Sequence, residues 1–91
     1  MIELVFFEDL YEKYYSGYIL MGKAKSNLND YSGAITDFNI ALKINPQSGE
    51  AYFERGNVRR LTRDLSGFCN DIRIAFSKGY SEANKFIDDC N

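Results

Sequence analysis

The sequence has no histidine and no tryptophan, one proline and only two cysteines. Without histidine, the commonest general base and the commonest metal ligand are both missing. Two cysteines cannot supply a structural zinc site by themselves, and they are too few for a disulfide-built scaffold. Cys69 and Cys90 stand 21 residues apart with no Cys-x-x-Cys pattern. They are read as reduced, partly buried small hydrophobes of a cytoplasmic protein, with a disulfide as the minor reading. No run approaches the ~18 apolar residues of a membrane span. The apolar start, Ile2 to Phe7, carries Glu3 and lacks the basic flank and small-residue cleavage site of a secretory signal. The net charge of −2, from 11 basic and 13 acidic residues, argues against a protein that coats nucleic acid.

What is present is an internal duplication. Sliding residues 15–48 onto 49–82 gives eight identities in 34 positions, among them Tyr18/Tyr52, Gly22/Gly56, Asp30/Asp64, Asp37/Asp71 and Ala41/Ala75. Unrelated sequence would give roughly two. Asp-x-Ser-Gly recurs as a unit, and Asp-x-x-Ile-Ala follows at the same distance both times.

Each unit reads as helix, tight turn, helix. Tyr18, Met21, Ala24/Lys25 and Leu28 fall at helical spacing, and Tyr18, Met21 and Leu28 are taken as core. Asn29-Asp30 breaks the pattern, and Ser32 is read as the cap of the next helix. Ile35, Phe38, Ala41 and Leu42 carry that helix to its stop at Asn45-Pro46. The second unit runs from about Gly49 to Thr62, turns at Arg63-Asp64, runs again from Ser66, and ends at Lys78-Gly79-Tyr80, where glycine suits a left-handed cap. A last stretch, Ser81 to Cys90, opens with Ser81 as cap and puts Ala83, Phe86, Ile87 and Cys90 on one side. Five helices and no strand are expected. They make one domain over 1–91: an N-terminal extension (1–14), repeats at 15–48 and 49–82, and a capping helix (81–91) that seals the last apolar surface. Glu8 to Tyr15 reads as extra turns on the first helix, with Tyr11, Tyr14 and Tyr18 as a stripe. Ile2 to Phe7 either pack back on the first hairpin or cover a second copy of the chain.

Tyr18-x-x-Met21-Gly22, Ala34-x-x-x-Phe38, Ala41 and Pro46 resemble the tetratricopeptide repeat, and Tyr52, Gly56 and Ala75 repeat part of that pattern. The resemblance implies an all-α, right-handed superhelix of helical hairpins, with the small Gly22, Ala34 and Ala41 letting helices approach closely. The departures are Lys25 and Arg59 at aromatic sites, Arg55 for Leu, Phe68 for a small residue and Tyr80 for Pro. Phe68 is expected either to rotate outward or to push the second hairpin apart.

No nucleophile motif, phosphate loop or paired carboxylate is found, so no enzymatic role, cofactor or metal is expected. Asp37 and Asp71 are read as solvent-facing. Arg55, Arg59, Arg60 and Arg63 put four arginines in nine residues with no acid between them. They read first as a solvated helix face and second as a site for an acidic partner; nucleic acid is the weaker form of the second reading.

The resemblance also implies a concave groove lined by the first helix of each repeat, holding a peptide. Helical spacing selects Ile19, Leu20, Lys23 and Asn27 on one stripe and Phe53, Asn57, Arg60 and Leu61 on the other. Ser26 and Glu54 share those stripes. Leaving Ile19, Leu20, Phe53 and Leu61 all in water would forgo about 6–12 kcal/mol, so some cover is expected. Lys23, Asn57 and Arg60 would fix the register of a short apolar segment flanked by acids. Members of the family that clamp a chaperone tail's carboxylate use Lys and Asn on the first stripe and Asn on the second. Ile19, Lys23 and Glu54 stand at those sites here, which disfavours that role. The leading reading is therefore a non-catalytic adaptor or scaffold for protein partners. The alternative is a self-assembly unit whose groove and N-terminal apolar segment are buried in a homodimer.

Overall fold

The computed structural model describes the backbone of residues 2–90 and the side chains of residues 13–90. It is all-helical: α1 (Ile2–Asn27), α2 (Tyr31–Ile44), α3 (Gly49–Leu61), α4 (Leu65–Ser77) and a short α5 (Asn84–Ile87) set between 3₁₀ turns at Ser81–Ala83 and Asp88–Cys90. The five expected helices are present as two antiparallel hairpins, α1/α2 and α3/α4, with α3 stacked on α2 and the C-terminal segment against α4. The first helix begins earlier than the periodicity suggested. At 1.5 Å per residue its 26 residues span about 39 Å against about 21 Å for the 14 of α2. Whether the side chains of Ile2 to Phe7 and Tyr11 pack back, form a stripe or cover a second copy lies outside the described residues.

The duplicated motifs are turn chemistry. After α1 and α3 the chain passes through left-handed residues, Asn29 (φ 65°) and Arg63 (φ 67°). The amides of Asp30 and Asp64 then donate back to the Lys25 and Arg59 carbonyls at 2.8 Å. Gly79 (φ 84°) ends α4 the same way, as its position in the sequence suggested. The caps of α2 and α4 are not the serines. Asp30 Oδ1 accepts from the Gly33 amide at 3.1 Å and Asp64 Oδ1 from the Gly67 amide at 3.0 Å. The aspartate therefore caps each helix in Asp-x-Ser-Gly, with Ser32 and Ser66 already inside it. Ser48, four percent exposed, caps α3 through the Ala51 amide and meets the Tyr15 hydroxyl at 2.9 Å. Ser81 caps nothing; the segment it opens is a broken 3₁₀–α–3₁₀ path rather than one helix.

Close crossings hold the hairpins. A Cβ on Gly22 would lie 2.6 Å from the Phe38 ring, and one on Gly56 would lie 3.0 Å from Asp71 Cβ and 3.4 Å from the Phe68 carbonyl. Phe68 neither rotates outward nor splays the second hairpin. It is buried, edge-on to Phe86. The first repeat pairs Ala34 with Phe38 and the second pairs Phe68 with Ile72, so bulk added at one site is removed one turn later.

The two aspartates expected in solvent are buried, Asp37 at 3% and Asp71 at 0% exposure. Arg55 meets Asp71 in a two-pronged contact at 3.0 and 2.8 Å, Arg59 adds a third bond at 2.9 Å, and Arg55 also reaches Asn39 on α2 at 2.8 Å. In the first repeat Lys25 stands 3.0 Å from Asp37. The basic residues that departed from the family pattern are thus the partners of the duplicated acids. Burying an ionised carboxylate without a counter-charge is costly, and each repeat supplies one from the preceding helix.

The cysteines are joined. The last 3₁₀ turn carries Cys90 back over α4 to Cys69, with Cα atoms 5.3 Å apart, and the Cys90 carbonyl accepts from Arg73. The reduced reading weighed spacing and compartment. The folded path brings together two residues that stand 21 positions apart in the sequence.

Candidate functional site

The α1 core stripe is shifted from the one expected, with only Tyr18 of Tyr18, Met21 and Leu28 packed against the first cluster. Tyr15, Ile19 and Gly22 face α2, while Met21 (47% exposed) and Leu28 (80%) face water. Bulky residues outweigh a glycine when periodicity is read from side-chain size, although the glycine marks the tightest approach. Five of the eight residues assigned to the groove, Ile19, Leu20, Phe53, Arg60 and Leu61, lie outside the cleft described below. Ile19 is buried in the first core cluster with Phe38, Ala41 and Leu42. Phe53 is 2% exposed in the second, 5.2 Å from the Tyr80 ring and 5.9 Å from Phe86. The cover those side chains needed comes from their own chain. Leu20 (66%) and Leu61 (50%) are exposed and stand outside the cleft between α1 and α3.

Arg60 is exposed, its guanidinium over the Phe68 and Phe86 rings at 6.0 and 5.2 Å, away from the cleft.

Lys23, Asn27 and Asn57 do converge, together with Ser26 and Glu54. They line a cleft of about 100 Å³ between α1 and α3, floored by Phe38 and Val58. Gly22, at the crossing, lets α1 lie close to α2, and the stacking of α3 on α2 sets the opposite wall. Asn57 Oδ1 is buried and accepts no hydrogen bond from the described residues. Glu54 beside it has no ion pair among them; the nearby Lys23 stands 3.9 Å from Glu50. Burial pushes the Glu54 carboxyl above its ordinary 4.5, Lys23 and Lys85 oppose this, and Glu50 and Glu82 add to it. At the cap end of α3 the Tyr80 hydroxyl is pushed up to about 12, chiefly by burial and then by Glu82, Glu50 and Glu54. Tyr80, Glu82 and Lys85 reach this region only because of the broken path of the C-terminal segment, for which the sequence carries no periodic signal.

A second surface gathers two of the exposed apolar side chains of α1, Tyr14 and Met21. Tyr14, Gly17, Tyr18 and Met21 border an apolar hollow of about 400 Å³. Their counterparts 34 positions on include Ser48 and Ala51, buried where α3 stacks on the first repeat. In α1 the same face has no preceding repeat among the described residues.

Stacked hairpins with duplicated caps, crossings and buried ion pairs define a helical repeat domain of the tetratricopeptide-like kind. Consistent with this, the chain is 33% identical over 58 residues to tetratricopeptide repeat protein 36 of Danio rerio, a stretch covering 64% of this chain and 31% of that protein. The chain spans about a third of the length of the curated relative it matches. No protein-family model and no solved structure matches it. Among the described residues no group of three or more His, Cys, Asp or Glu side chains could hold a metal ion, and no helix is long and apolar enough to cross a membrane.

Proposed function

We propose that the chain is a non-catalytic protein-interaction module that holds a segment of a partner protein in the cleft between α1 and α3. The observation that carries this reading is the open cleft at the junction of the two repeats, whose buried Asn57 carbonyl has no partner among the described residues. Buried acceptors are ordinarily paired, so the free one favours a ligand there. The similarity to a tetratricopeptide repeat protein points to protein partners in general.

The finer sequence expectations change. Arg55 and Arg59 are spent on Asp71, and Arg60 lies over aromatic rings, so a specifically acidic partner loses its support. The homodimer alternative loses two of the four apolar residues that called for cover, and a monomer is expected by light scattering. The joined cysteines favour an oxidising compartment over the cytoplasm.

The test blocks the cleft from its rim. Asn27 is exposed and lines the opening. Asn27→Trp should abolish binding of peptides selected from a display library while the circular dichroism is unchanged. Peptides that bind the variant as well as the parent chain would place the partner elsewhere.

A further inference from the structure

We propose that the α1/α3 cleft receives a cationic side chain, lysine or arginine, from the partner segment, with Asn57 Oδ1 and the Glu54 carboxylate as its acceptors. This rests on the cleft being the binding site and adds the chemistry of what enters it.

Three observations converge. The first is the acceptor pair. Asn57 Oδ1 is buried without a donor, and Glu54, half-buried in the same cleft, has no ion pair among the described residues. An ammonium or guanidinium offers several N–H donors and no acceptor, which is the complement of such a pair. The second is the local field. The charges grouped around Glu54 are Lys23 from α1, Glu50 from α3, Glu82 from the first 3₁₀ turn and Lys85 from α5. Counting Glu54, three acids face two bases. Lys23 is engaged with Glu50, and Lys85 lies over the Phe53 and Phe86 rings at 5.6 and 5.4 Å. Around Glu54 the acids exceed the bases by one, with Lys23 and Glu54 the charged groups on the cleft wall, and an entering carboxylate would meet Glu54 directly. The third is shape. Phe38 and Val58 give the cleft an apolar floor, and about 100 Å³ suits the tip of a long side chain rather than a backbone turn. Lysine and arginine bring an aliphatic stem for that floor and a charged head for the acceptors.

The experiment selects peptides of about twelve residues from a random display library against the full chain, with Asn27→Trp as the counter-selection. Cleft-dependent binders should be enriched in lysine or arginine. They should bind about tenfold or more weakly to Glu54→Gln, the loss expected for one charge-assisted hydrogen bond. Asn57→Leu should weaken them as well, with the fold of both variants checked by circular dichroism. Cleft-dependent binders rich in Asp or Glu, or lysine-bearing binders indifferent to Glu54→Gln, would overturn the cation site and leave the cleft as the binding site. Binders indifferent to Asn27→Trp, or no binders at all, would overturn both.

Discussion

Asp71 is the residue on which most of the polar interior depends. Its carboxylate is fully buried and takes three hydrogen bonds from two arginines that are themselves only 16% and 25% exposed. Removing one member of a buried ion network leaves the others uncompensated, at about 3–5 kcal/mol. Asp71→Ala should therefore cost about 3 kcal/mol or more in urea unfolding. Asp37→Ala should cost less, because its partner Lys25 is 38% exposed and can turn to water. The duplication of these acids and of Lys25/Arg59 was visible in the sequence. Their pairing was not, because periodicity puts an aspartate on a face without saying what lies opposite. Glu54 acts on stability in the opposite direction, because its burial is not matched by an ion pair among the described residues. Its folded carboxyl titrates above the ordinary 4.5, so folding takes up a proton between that value and the raised one. Stability at this group is present at low pH and is lost as pH rises through the raised value. Glu54→Gln should thus raise the melting temperature at pH 7 and leave it nearly unchanged at pH 4, even as it removes a ligand acceptor.

At the scale of the helix, glycine and register decide what the sequence could show. Gly22 and Gly56 were legible as close crossings because both repeats carry them. Replacing either with leucine should destabilise by about 1–3 kcal/mol or more, since the Phe38 ring crowds Gly22 and Asp71 Cβ crowds Gly56. The α1 register was not legible, because Met21 and Leu28 satisfy a helical period as well as Ile19 does. The distinction is testable by placing an arginine at one exposed and one buried position. Met21 matches Arg55 in the duplication and is 47% exposed, so Met21→Arg should shift stability by no more than about 0.5 kcal/mol. Val58 matches Ala24 but is 1% exposed in the stack of α3 on the first repeat, so Val58→Arg should unfold or severely destabilise the chain. Equal tolerance at the two sites would mean that the stacking order is wrong.

Across the whole molecule, two core clusters share Tyr52, and only the second involves the C-terminal segment. The first is built from α1, α2 and the near face of α3. The second needs Ala83, Phe86, Ile87 and Cys90 to cover Phe53 and Phe68. That such a cap exists followed from the duplication, since a last repeat must be sealed. Its broken path and its disulfide did not, because ten residues of mixed character fit one amphipathic helix equally well. The bond closes a loop of 21 positions, for which chain entropy predicts about 3 kcal/mol. Reduction by a dithiol, or Cys90→Ser, should lower stability by about that amount. The loss should be uneven. Amides of α4 and of residues 81–90 should lose hydrogen-exchange protection while those of the α1/α2 hairpin retain theirs, because the first cluster contains no residue of the cap. The cleft lining comes from α1, α2 and α3 alone, so binding there should survive reduction with only the small weakening that follows from moving Glu82 away. A chain that loses protection uniformly on reduction would be a single cooperative unit, in which the cap holds the binding face as well as the end of the stack.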